Sequence, residues 1–178
     1  IIYILSASFF VVLVKIIATP FQRIRFLNWY YQVDDGQNTA SILSLSNGGI
    51  IGLGLGESSF KKGLLPAAHT DFILPIIGEE FGFIGICSIF ILFFLFLFFS
   101  MRILQKVRDA FGFFLGMGII LNIIFYFLIN SAYVVGIFPT TGLALPFISY
   151  GGSHLVLTLA SMGILFNMAN QTLNKKTI

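Results

Sequence analysis

The chain has 178 residues, of which 57% are hydrophobic and only 10% charged, with 22 phenylalanines and a mean hydropathy of +0.98. Soluble proteins average roughly 45–50% apolar and 25% charged residues, so this is an all-α polytopic membrane protein, a single transmembrane domain over 1–178 with room for about five spans and no soluble domain. Its net charge of +3 comes from ten Lys and Arg residues in small groups between apolar runs, which marks topology and excludes a nucleic-acid stripe; the single cysteine, Cys87, lies in an apolar run and excludes a disulfide framework or a cysteine metal site.

The chain opens inside an apolar run, Ile1-Ile2-Tyr3-Ile4-Leu5, without an initiator methionine or a charged signal region, and reads as a segment of a larger protein. Residues 1–19 make a first span whose one charge, Lys15, can snorkel to the headgroups, and Pro20 closes it. Residues 20–36, with Arg23, Arg25, the interfacial aromatics Trp29, Tyr30 and Tyr31, and then Asp34-Asp35, read as a loop on one face. Residues 38–56 read as a second span, with Gly48, Gly52 and Gly56 four apart on one side, a spacing that lets helix backbones approach closely. Gly52-Leu53-Gly54-Leu55-Gly56 lacks both a βαβ setting and a following Gly-Lys-Ser/Thr, so it is not a nucleotide loop.

After a loop over 57–70, residues 72–100 form a span long enough to tilt, with Glu79 and Glu80 in its first turns. Arg102, Lys106 and Arg108 make a second basic loop. Residues 111–137 form the next span, in which Asn122 and Asn130 are expected to hydrogen-bond to neighbouring helices. The connection 138–153 carries two prolines and three glycines and cannot be one regular helix. Irregular backbone at membrane depth survives only against protein or a water-filled cavity, so this loop reads as a cavity lining. A last span covers 154–169, followed by Lys175-Lys176.

By the positive-inside rule, Lys15, Arg23 and Arg25 fall on one side, Arg102, Lys106 and Arg108 return to it, and Lys175 and Lys176 do so again. Eight of the ten basic residues then mark the cytoplasm. Lys61 and Lys62 are the exceptions, on the outer face with Asp71 and the 138–153 loop, which points to an anionic ligand there.

Ionisable groups in a membrane are functional candidates by default. Asp71 stands at or just before a helix N-terminus; it reads either as an N-cap or as a general base on a hydroxyl, while lysines neutralise a departing phosphate. A divalent cation, Mg or Mn, could share that charge. Glu79 and Glu80 read as proton-relay groups or as structural residues. His69 and His154 share a face, but two histidines do not make a metal site.

Four strings carry a resemblance: Gly52 to Ser58, Leu65-Pro66-Ala67-Ala68-His69-Thr70-Asp71-Phe72-Ile73, Gly78-Glu79-Glu80-Phe81-Gly82, and Pro139 to Ser153. Together they resemble the SEDS family (shape, elongation, division and sporulation), of FtsW and RodA type, over essentially the whole chain but only the C-terminal half of a ten-helix fold. The resemblance implies a peptidoglycan glycosyltransferase that polymerises lipid II at the outer face of the bacterial cytoplasmic membrane. Asp71 matches the family's essential aspartate and would deprotonate the acceptor 4-hydroxyl as undecaprenyl pyrophosphate leaves; Lys61 matches the loop lysine. His69, Thr70, Pro139, Thr140, Ser149, Tyr150, Gly151, Gly152 and Ser153 complete the expected substrate contacts. Expected partners are lipid II, a class B penicillin-binding transpeptidase and other divisome or elongasome membrane proteins. Gly63 and Ala67 stand where division-type members often carry glutamates, and Pro75 replaces a small residue. The Pro-Thr-Thr-Gly-Leu wording leans to the division branch. A lipid II flippase, or a scaffold that only activates the transpeptidase, are the alternative readings.

Overall fold

The computed structural model describes residues 19–31, 33, 36–59 and 70–174. Residues 1–18 of the expected 1–19 span, and Lys61, Lys62 and His69, lie outside them. Among the described residues the secondary structure is all helical: α1 Pro20–Tyr30, α2 Gln37–Gly48, α3 Ile73–Leu104, α4 Ala110–Val134 and α5 Gly152–Asn174.

Three of these, α3, α4 and the Gly152–Gln171 part of α5, are long and apolar enough to cross a membrane, and they coincide with the stretches expected over 72–100, 111–137 and 154–169. Each buries a narrow stripe and leaves large apolar side chains such as Phe94, Phe114, Phe125 and Leu157 outward, as suits helices solvated by lipid tails. The stripe of α3 meets that of α4 where Phe93 stacks on Phe127 with ring centroids 4.0 Å apart. Leu104, Ile120 and Leu165 make a second cluster at the other end. Asp109 starts α4 by accepting a hydrogen bond from the Gly112 amide at 2.8 Å, which satisfies one orphan donor of the first turn.

The expected span over 38–56 is not there. Helix α2 has 12 residues, about 18 Å of helix against the ~30 Å of a hydrocarbon core, and the chain leaves it at Gly49 in a turn. Beyond that turn the backbone interlocks with α3. At Gly82 (φ 67, ψ −162) the helical ladder of α3 breaks, and the freed groups find partners in residues 49–54. Leu53 and Gly54 donate to the carbonyls of Glu79 and Glu80, and the amides of Phe83 and Ile84 donate to Gly49 and Ile50. Four backbone bonds thus replace those lost at the kink, which is how a broken helix is tolerated in an apolar setting.

The glycine spacing therefore serves close backbone approach, as expected, but across a helix end and a turn segment rather than along one helix. A Cβ on Gly48 would lie 1.9 Å from the Gly78 carbonyl oxygen, and one on Gly52 (φ +92) 2.2 Å from that of Glu80. Backbone cannot yield there without breaking the interlock. Gly52→Ala should destabilise the fold by at least about 2 kcal/mol, through the clash and the left-handed backbone together, read as a lower melting temperature by fluorescence-detected gel filtration; an unshifted melt would mean that the 49–54 segment is not packed into the kink.

Losing one crossing also changes sidedness. The sequence puts residues 20–36 and 138–153 on opposite faces, yet Arg25 Nη1 donates to the Thr140 carbonyl at 3.2 Å and Trp29 Nε1 to that of Gly136 at 3.0 Å. Helix α1 and the 136–140 segment therefore share one end of the helix group, and the segment expected as a cytoplasmic loop is a helix at the Asp71 end. Arg23 and Arg25 accordingly do not mark the face opposite Asp71. The positive-inside count holds for short connections, and here that means Arg102, Lys106 and Arg108 around the α3–α4 turn.

Candidate active site

Asp71 lies in the turn that leads into α3. The N-cap of α3 is Phe72, with no side-chain cap, so the capping reading of Asp71 fails by one residue. The buried Phe72 ring meets Tyr133 edge-on at 5.6 Å and anchors the turn below the aspartate.

The main chain of Asp71 is held by the last turns of α4. Asn130 Nδ2 and the Tyr133 hydroxyl both donate to the Asp71 carbonyl, at 3.0 and 2.7 Å. The same two groups lie within reach of the Leu143 carbonyl at 2.7 and 3.0 Å, the one hydroxyl hydrogen serving one carbonyl at a time. Asn130 and Tyr133 are three apart on the helix, hence on one face, and both are fully buried. They clamp the Asp71 turn to the broken 138–151 segment. Asn130 thus faces loop carbonyls, with the Tyr133 hydroxyl 2.6 Å away, rather than a neighbouring helix as expected.

A second clamp lies one residue back. Ser149 Oγ donates to the Thr70 carbonyl at 2.6 Å and accepts from the Leu145 amide at 2.7 Å. This closes a tight turn in which Phe147 takes a left-handed conformation (φ 65), uncommon for a bulky residue. Beside it, Gly142 has φ +72, and a Cβ there would lie 3.2 Å from Asp71 Oδ2. Asp71 is half-buried against this glycine backbone.

The expected substrate contacts therefore divide. Thr70, Thr140 and Ser149 brace the loop: Ser149 and Thr140 are buried, and the Thr140 carbonyl receives Arg25. Pro139 is half-buried, whereas Tyr150, Gly152 and Ser153 are exposed where α5 begins. A Cβ on Gly151 would lie 4.0 Å from that of Ala144, so the start of α5 passes close to the 138–151 segment. His154 packs on the Tyr126 ring at 5.0 Å.

Glu79 points the other way. It is fully buried and accepts hydrogen bonds from the hydroxyls of Ser58 and Ser44 and from the Ser59 amide. These bonds tie the Gly-rich string to α3. Among the described residues no three His, Cys, Asp or Glu side chains converge on a common centre. A divalent cation would find one carboxylate of the described residues beside the loop, Asp71, and would draw its remaining oxygen ligands from water and substrate phosphates.

Tyr133, Arg25 and Trp29 escaped the sequence reading. An Asn-x-x-Tyr pair at the polar end of an otherwise apolar helix was the available signal for Tyr133. Arg25 and Trp29 were hidden by the miscounted span.

Comparison with known proteins places this geometry in a family. Residues 1–174 match the FtsW/RodA/SpoVE family, described as cell cycle protein. Relatives include the probable peptidoglycan glycosyltransferase FtsW of Geobacter metallireducens, 44% identical over 156 residues (85% of this chain and 42% of the relative). That of Bacillus subtilis is 48% identical over 129 residues (72% and 32%), and stage V sporulation protein E of B. subtilis is 43% identical over 129 residues (72% and 35%). A chain in the solved structure described as "Structural coordination of polymerization and crosslinking by a peptidoglycan synthase complex" is similar with a TM-score of 0.69 and 25% identity, covering 96% of this chain and 49% of that one. The chain spans less than half the length of the relatives it matches. Its sequence match and its membrane-capable helices agree: the chain is that of a multi-pass membrane protein and belongs to the FtsW/RodA/SpoVE family.

Proposed function

We propose that the protein containing this chain is a peptidoglycan glycosyltransferase of the division type, polymerising lipid II into glycan strands. The observation that carries this reading is the placement of Asp71. Its carboxylate is free of capping duty, half-buried, and beside backbone held by two independent clamps. A positioned base of this kind suits proton abstraction from a hydroxyl. In the proposed step Asp71 takes the proton of the acceptor 4-hydroxyl, whose oxygen forms a bond to the donor anomeric carbon. The bond from that carbon to the pyrophosphate oxygen breaks, and undecaprenyl pyrophosphate leaves with the electron pair. Lys61, with the amides at the start of α5, would receive its charge. Relatives named as probable peptidoglycan glycosyltransferases support the reading. The membrane would be the bacterial cytoplasmic membrane with Asp71 on its outer face, and the partner a crosslinking transpeptidase of the penicillin-binding class.

The direct test supplies purified lipid II to the complete protein with its transpeptidase partner and resolves glycan strands on a gel. Strands should appear; unreacted lipid II under conditions where the protein binds it would sink the reading. Sidedness is checked separately with cysteines placed at Gln22, Ser59 and Thr141. All three should react with an impermeant thiol reagent in intact spheroplasts, whereas one at Lys106 should react only after lysis. Gln22 reacting with the Lys106 set would break the link between α1 and the Asp71 end.

A further inference from the structure

A large hollow among the described residues lies at the end of the helices away from Asp71. It is a cavity of about 530 Å³ between the α3–α4 turn, the start of α4 and the end of α5. Its lining is graded. Lys106, Arg108, Asn167 and Gln171 belong to the rim at the helix ends, and Leu115 and Ile164 to the wall further along the spans. On α4 the lining runs from Phe111 to Leu115 and on α5 from Gln171 back to Ile164, which are axial depths of about 6 and 10 Å. A hollow that is cationic at headgroup level and apolar further along the spans, at Leu115 and Ile164, has the polarity profile of a phospholipid, not of a free ion.

The charges are available. Lys106 and Arg108 are both exposed. The one carboxylate in the lining, Asp109, is engaged with the Gly112 amide at the α4 start. Arg102, on the neighbouring turn, lies over the Phe98 ring at 4.5 Å and outside this lining.

We propose that this cavity binds one anionic phospholipid of the leaflet at the Lys106 end, its headgroup phosphate between Lys106 and Arg108 and an acyl chain along Leu115 and Ile164. The site lies apart from Asp71 and does not depend on the glycosyltransferase reading. Its cations are the same short-connection residues that set the topology, so the lipid would fix the position of the α3–α4 turn against α5.

The test is native mass spectrometry of the complete protein released from detergent. It is titrated with palmitoyl-oleoyl phosphatidylglycerol or with phosphatidylcholine of the same chains. The wild type should keep one phosphatidylglycerol at roughly tenfold lower lipid concentration than phosphatidylcholine, a preference set by charge pairing at the rim. Lys106→Gln with Arg108→Gln should abolish the preference, and Lys106→Arg with Arg108→Lys should restore it. Leu115→Trp, which fills the wall, should lower retention of phosphatidylglycerol about tenfold with the charges intact. All substituted side chains line the cavity rather than the helix core, and unchanged melting temperatures would show the variants folded. Equal retention of the two lipids, an undiminished preference in the double Gln variant, or full retention by Leu115→Trp would each overturn the proposal. So would displacement of the lipid by millimolar inorganic phosphate, which would mark a free-anion site. If another part of the complete protein fills the cavity, no selective lipid will be retained and the proposal fails on that result.

Discussion

Asp71→Asn should lower glycan-strand synthesis from purified lipid II by about 10²- to 10⁴-fold, the usual worth of a positioned general base. The substitution isolates the base because the clamps do not touch the side chain. Asn130 and Tyr133 bond to the carbonyl of residue 71, and Ser149 to that of residue 70. Asparagine keeps that main chain, the size of the side chain and its place beside Gly142. Melting temperature and lipid II binding should therefore stay near wild type while turnover collapses. Asp71→Glu should recover part of the rate, since it keeps a carboxylate but moves it by about one methylene. Wild-type synthesis by Asp71→Asn, measured with the transpeptidase partner present, would remove the general-base role. Loss of lipid II binding in parallel with loss of turnover would recast Asp71 as a substrate-holding residue.

The long helices were legible because their signal is composition over length: α3, α4 and α5 each carry a run of apolar residues that has no alternative in water. Residues 38–56 misled the reading because the same apolar and glycine-rich composition serves a different purpose. Gly48, Gly52 and Gly82 let a short helix and a turn segment lie against the kink of α3 at backbone contact, a long-range arrangement with no local periodicity. Counting that stretch as a span reversed the side of α1, and the reversal concealed Arg25 and Trp29 as braces of the 136–140 segment. The site was legible in part. Asp71 was singled out from charge in an apolar chain and from the family strings. The division of labour around it was not, because whether Ser149 or Thr140 faces a substrate or a neighbouring carbonyl depends on tertiary contacts. Nor does sequence show that Glu79 accepts from two serines and an amide in the interior, since a buried carboxylate in a helix reads equally as a relay or as a tie.

The clamp itself should be the second most sensitive place in the site, and Asn130→Asp its most damaging change. The asparagine amide faces two main-chain carbonyls, those of Asp71 and Leu143, at 3.0 and 2.7 Å. An NH₂ group can satisfy both. A carboxylate of the same shape has only acceptors there, so two attractions become two repulsions in a fully buried position. Asn130→Leu removes the donors without adding charge, and each carbonyl left short of a donor costs about 1–3 kcal/mol. The single hydrogen of the Tyr133 hydroxyl still serves one of the two carbonyls within its reach, so part of the clamp survives in Asn130→Leu, and Tyr133→Phe alone should be milder because the Asn130 amide has two hydrogens. We expect turnover to fall about tenfold in Tyr133→Phe, ten- to a hundredfold in Asn130→Leu, and further in Asn130→Asp. The two residues share their acceptors, so the Asn130→Leu, Tyr133→Phe double variant should lose more than the sum of the single losses. A positioning role predicts that turnover falls while the lipid II concentration for half-maximal rate changes little, because the clamp aims Asp71 and does not hold substrate. A residue that only supports folding would instead lower the melting temperature and the active fraction, leaving turnover per folded molecule unchanged. That result for Asn130→Leu, with additive losses in the double variant, would reduce the clamp to ordinary packing at the end of α4.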